Sequence, residues 1–102
     1  MKIVGITACP TGIAHTYLAQ EALEKAAKEK GYEIKVETQG SIGIENELTQ
    51  AEIDEADLVI FAVGIMVEGE ERFDDKKIIK VKLNEVISKA GKIIEDSIKT
   101  LV

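Results

Sequence analysis

The chain predicts an α/β domain: a small open parallel four-stranded sheet, order 2-1-3-4, with helices on both faces in the Rossmann-like manner. Three observations carry that prediction. Strand-like and helical segments alternate along the whole sequence, which is the pattern of a parallel sheet with crossover helices. Two segments, residues 3–8 and 58–63, are apolar nearly throughout, as central parallel strands covered on both faces are. The connections are short, and right-handed crossovers leave few other topologies.

The first strand, residues 3–8, stops at Cys9-Pro10-Thr11-Gly12, a tight loop by composition. A helix over residues 13–30 follows, with Ala14, Leu18, Ala22, Leu23, Ala26 and Ala27 on one stripe, and Gly31 ends it. Residues 32–39 alternate, with Ile34, Val36 and Thr38 on one face and Glu33, Lys35 and Glu37 on the other. That pattern predicts an edge or half-exposed strand. Gly40-Ser41-Ile42-Gly43 reads as a flexible loop. Thr49-Gln50-Ala51-Glu52 is a capping box opening a short helix to about residue 55.

The third strand is residues 58–63 and the fourth residues 78–81, separated by a loop that carries Arg72. The last helix sets Leu83, Val86, Ile87, Ala90, Ile93, Ile94, Ile98 and Leu101 at three- and four-residue steps, weakened at Gly91. The order 2-1-3-4 places a switch point at the carboxyl ends of the first and third strands, where open α/β sheets bind ligands. Cys9 stands at the end of the first strand.

Bulk properties fit a single domain spanning residues 1–102, with 45% hydrophobic and 31% charged residues. One cysteine excludes an intrachain disulfide and a multi-cysteine metal site, and no cofactor is implied. Net charge is −6 with no basic footprint, which argues against nucleic acid. No signal-like N-terminus is visible and the longest apolar run falls well short of a membrane span, so a cytoplasmic domain is expected.

Cys9-Pro10-Thr11-Gly12-Ile13-Ala14-His15-Thr16 reads as a nucleophile on a strand-to-helix turn. Backbone N–H groups of such a turn, with the unpaired donors of the helix start, converge on the space above it and can grip a dianion without a metal. Gly12 permits the curl and Thr11 and Thr16 offer hydroxyls. The same donors favour thiolate, so Cys9 is expected to titrate below about 7.5 rather than near the ordinary ~8.5. His15 is a candidate charge partner for thiolate or phosphate, or else a surface residue. Arg72, the chain's one arginine, is a candidate fork for a phosphoryl oxygen or a partner carboxylate, or else pairs with Glu68, Glu70 or Glu71. A phosphatase of the Cys-x5-Arg type is disfavoured, because the sixth residue after Cys9 is His15, and imidazole lacks the permanent bidentate clamp of guanidinium.

On these residues the sequence resembles the enzyme IIB component of the fructose-specific branch of the bacterial sugar phosphotransferase system. The loop from Cys9 to Thr16 reproduces one signature of that family, and Glu37-Thr38-Gln39-Gly40-Ser41-Ile42-Gly43 a second. The resemblance implies that Cys9 accepts phosphate from a histidine of a phosphorylated IIA domain. It implies further that Cys9 donates to fructose or a related sugar bound by the membrane-embedded IIC component, with the domain docked at the inner face of the membrane.

Overall fold

The computed structural model describes residues 1–8, 13–40, 43–63, 67, 69–74 and 76–100, with Ile13 and Ala14 described in backbone only. Its elements are β1 (Lys2–Ala8), α1 (Ile13–Glu29), β2 (Glu33–Gly40), β3 (Gly43–Glu45), α2 (Gln50–Glu55), β4 (Leu58–Val63), a 3-10 turn (Glu70–Phe73), β5 (Ile78–Val81) and α3 (Leu83–Lys99).

One sheet in the order β3-β2-β1-β4-β5 joins all five strands. β1 pairs in parallel with β2 and β4, and β4 with β5. The four expected strands therefore stand in the expected order, and the fold class holds. The addition is β3, antiparallel to β2 with Gly40 opposite Gly43. The segment read as a flexible loop is a hairpin, whose residues 41 and 42 lie outside the described set. Gly43 has φ +109°, which no side-chain-bearing residue adopts comfortably.

Because side chains alternate across each strand, the sheet divides two cores. On one face Ile3, Val36, Leu58, Ile60 and Ala62 meet α1 and α3 through Leu23, Ala27, Val86 and Ile94. On the other, Val4, Ile6, Val59 and Phe61 meet Leu48, Ile53, Val67 and Phe73. Phe61 and Phe73 pack edge to face at 5.0 Å. Helices thus cover both faces.

Local signals operate as the sequence indicates. Gly31, at φ +79°, closes α1, with its N–H on the Lys28 carbonyl and that of Tyr32 on Ala27. Thr49 caps α2 reciprocally with Glu52. Two side chains depart from expectation. Leu18 is 48% exposed, and Ala19 is the buried residue of that turn. Glu37, read as facing solvent, is fully buried, because β2 is no edge strand and a cation from a distant turn reaches it.

Candidate functional site

β1 lies at the middle of the sheet, and its last residue, Ala8, stands opposite Gln39 of β2 and Val63 of β4. The chain leaves β1 through α1 towards β2 on one side, and returns through α2 to β4 on the other. The carboxyl ends of β1 and β4 therefore form the topological switch point, where neighbouring connections part and leave a crevice. The residue that follows Ala8 is Cys9.

Cys9, Pro10, Thr11 and Gly12 lie outside the described residues, as do the side chains of Ile13 and Ala14; what is described is the frame around them. The Thr7 hydroxyl donates to the main-chain carbonyl of Thr16 at 3.2 Å. Thr7 and Thr16 are both buried, so the end of β1 is bonded to the start of α1 inside the core. α1 runs 17 residues with no acidic residue in its first turn, so the positive end of its dipole is not cancelled locally. His15 is exposed on that turn.

His15 also lines an open cavity of about 330 Å³ together with Val63, Lys82, Leu83, Asn84 and Ile87. Its charged or chargeable lining, His15 and Lys82, is basic, on a chain of net charge −6. The groove opens between the starts of α1 and α3, beside the carboxyl end of β4. Its walls are largely apolar.

The opposite wall of the switch point is polar and buried. Arg72 Nη1 and Nη2 donate to Glu37 Oε1 and Oε2 at 2.9 and 3.0 Å. Arg72 also donates to the carbonyls of Leu48 and Gly69, both at 2.8 Å. Its guanidinium carbon lies 5.4 Å from the centre of the Phe73 ring. Glu37 further accepts from the Leu48 N–H at 2.8 Å and from the Gln39 amide nitrogen at 2.6 Å. Burial alone would push the Glu37 carboxyl up; the Arg72 fork, the Leu48 N–H and the Gln39 amide together hold it below its ordinary value. Arg72 thus forks onto Glu37, a partner its sequence position did not suggest; Glu68, one of the expected partners, lies outside the described residues.

This network joins β2, the segment before α2 and the 3-10 turn on one side of Cys9's strand. Sequence reasoning named Arg72 and quoted Glu37 and Gln39 within a signature, but gave the two β2 residues no role. The usable signal was that signature, since alternation alone assigns Glu37 to solvent. Across the top of α1, the Tyr17 hydroxyl donates to the Glu45 carboxylate and ties β3 to the helix. Among the described residues no group of three or more His, Cys, Asp or Glu side chains is placed to hold a metal ion. No described helix is long and apolar enough to cross a membrane.

A switch-point crevice beside a helix start with no acidic residue in its first turn is an arrangement suited to an anion. The family model for the lactose/cellobiose-specific IIB subunit of the phosphotransferase system matches residues 4–96, and the chain belongs to this IIB family. It is 54% identical over 93 residues to the fructose-like EIIB component 2 of Escherichia coli K12, covering 91% of this chain and 88% of that protein. A domain of the fructose-specific IIABC component of Borrelia burgdorferi superposes with a TM-score of 0.91 at 50% identity, over 96% of this chain and 93% of that one. The solution structure of a phosphotransferase-system enzyme IIB subunit from Escherichia coli K12 gives a TM-score of 0.92 at 42% identity, over 98% and 93% of the two chains.

Proposed function

We propose that this domain is the phosphoryl carrier of a fructose-type sugar transporter, and that Cys9 is the residue phosphorylated. The observation that carries the reading is the place of Cys9 in the chain. It follows directly from the central strand at the switch point, in a chain that belongs to the IIB family. The names of the similar proteins support a fructose-like sugar.

In the first transfer the Cys9 thiolate attacks the phosphorus of a phosphohistidine on the IIA partner. An S–P bond forms, the N–P bond breaks with its electron pair going to nitrogen, and the histidine, protonated at its other ring nitrogen, leaves as neutral imidazole. In the second transfer a hydroxyl of the sugar held by the IIC component attacks the same phosphorus. The S–P bond breaks, the hydroxyl proton passes to a base or to solvent, and the thiolate is restored. Phosphoryl transfer asks the protein chiefly for alignment and charge stabilisation. In the loop from Pro10 to Thr16 every residue but Pro10 carries a backbone N–H, and these donors, with the Thr11 hydroxyl, serve the dianion, aided by the start of α1. His15 faces the incoming partner from the rim of the groove between α1 and α3, whose apolar walls and basic rim suit docking at the membrane's inner face.

Membranes carrying a cognate IIC component, supplied with phosphoenolpyruvate, the general phosphotransferase proteins and IIA, should form sugar phosphate when this protein is added. Cys9→Ser should abolish that product while retaining the wild-type melting temperature. Undiminished product with Cys9→Ser would refute the assignment. Rapid hydrolysis of an aryl phosphate by the protein alone would favour a phosphatase instead.

A further inference from the structure

We infer that the groove between the starts of α1 and α3 is the docking surface for the phosphorylated IIA domain, and that its basic rim prefers this donor loaded rather than spent; the inference rests on the carrier reading above. Val63 lines the groove and stands opposite Ala8, on strands that lie about 4.8 Å apart. The groove therefore borders the end of the strand that Cys9 follows.

Its walls suit apolar side chains of a partner. Leu83 and Ile87, four positions apart on α3, present one face to a volume of about 330 Å³, at the lower end for a small-molecule site. Leu18 extends that wall. His15, Leu18 and Ala22 share one flank of α1 at helical spacing, whereas Tyr17 reaches the other way, to Glu45 of β3. Leu18 is one of three large apolar side chains left exposed among the described residues. A partner-facing position accounts for that exposure, which the buried stripe of α1 does not.

Charge chooses the occupant. Lys82 and His15 line the groove, and neither side chain forms an ion pair or hydrogen bond among the described residues. By contrast Lys80, two positions earlier, is paired with Glu70. Glu85 lies on the same first turn of α3 but does not line the groove. On a chain of net charge −6 this rim is a local exception. Two partners approach Cys9, and they differ in charge. The donor brings a phosphoryl group of about −2, whereas the sugar held by the IIC component is neutral. A cationic rim beside the crevice therefore attracts loaded IIA more than spent IIA. Once the phosphoryl group is on Cys9, that attraction acts within the carrier's own chain, and the spent donor is released.

The test measures binding of labelled IIA, phosphorylated and unphosphorylated, to Cys9→Ser protein by fluorescence anisotropy. Phosphorylated IIA should bind about fivefold more tightly, the scale of one exposed charge pair, and added salt should narrow the gap. Lys82→Gln should remove most of that preference. Leu83→Ser should weaken binding of both forms alike, by about tenfold, the scale of one apolar side chain withdrawn from an interface. Should Leu83→Ser fail to fold, Leu18→Ser, at an exposed position, carries the same test. Equal binding of the two forms, or a preference untouched by Lys82→Gln, would overturn the inference. Variants phosphorylated by IIA as wild type, yet unable to form sugar phosphate on membranes carrying IIC, would assign the groove to the membrane component and overturn it too. A dimer of this chain that Leu18→Ser dissolves would assign the groove to a second copy, with the same consequence. Absence of phosphoryl from Cys9 in the wild-type protein would instead overturn the carrier reading, so the failures are distinct.

Discussion

The guanidinium of Arg72 grips the carboxylate of Glu37 with both terminal nitrogens, and Glu37 is fully buried. Removing either partner strands a charge, an event that costs about 3–5 kcal/mol where such pairs are buried. A domain of this size is stable by roughly 5–15 kcal/mol, so the loss is severe. Arg72→Met is expected to lower stability by about 3 kcal/mol or more, and Glu37→Leu with Arg72→Met by less than Arg72→Met alone. Urea denaturation of the single and double variants measures this; additive losses would show that the two residues do not depend on each other.

The same pair makes stability depend on acid. Glu37 titrates below its ordinary 4.5 in the folded protein. The unfolded chain therefore takes up the proton first on acidification. The stabilisation is complete above the unfolded value and is lost as pH falls through the folded one. The stability difference between wild type and Glu37→Gln should shrink as pH falls from about 5 to about 3. Glu52 and Glu95, lowered by bonds to Lys35 and Lys30, contribute to the acid limb of both proteins and cancel in that difference. A difference that stays constant across this range would contradict the assignment.

Gly69 is required by both its backbone and its neighbour. Its φ is +72°, and a Cβ there would meet Arg72 Nε at 2.8 Å. An arginine tip at the surface would swing aside, but this one is held by Glu37, Leu48 and Gly69 itself. Gly69→Ala should destabilise by about 1–2 kcal/mol from the left-handed backbone alone, and more from the displaced guanidinium. In an Arg72→Met background the cost should fall towards the backbone share, a comparison read from thermal melts.

Gly91 presents the opposite case. It sits inside α3 at a helical position, and a Cβ there meets nothing within 4 Å. Gly91→Ala should raise stability by about 0.5–1 kcal/mol, by restricting the unfolded chain and favouring helix. The neighbouring Lys89 leaves helical geometry at φ −138°, ψ 32°. If Gly91 is needed for that kink, the gain disappears, and a calorimetric melt decides.

Much of the fold was legible because its signals are local. The strands at Leu58–Val63 and Ile78–Val81, the cap at Thr49 and the stop at Gly31 each follow from residues within one turn of themselves. β3 was not legible: Gly43, Ile44 and Glu45 are all exposed, so no burial pattern marks them. Leu18 broke the α1 stripe because Ala19, one position on, faces the sheet. Glu37 misled for a deeper reason. Alternation assigns a charged residue to water unless a counter-charge is known, and Arg72 comes to it from 35 positions away. For the site, the sequence proposes Cys9 and its loop, of which residues 9–12 lie outside the described set. The buried polar wall beside it emerged only when β2, the Leu48 segment and the 3-10 turn were brought together.

If the phosphoryl group rests on Cys9 between its two transfers, as proposed, it can be trapped there. Mass analysis of the protein after incubation with phosphoenolpyruvate, the general phosphotransferase proteins and IIA should find one phosphoryl group per chain, located on Cys9 and absent from Cys9→Ser. A phosphoryl group found on His15, or persisting in Cys9→Ser, would contradict it.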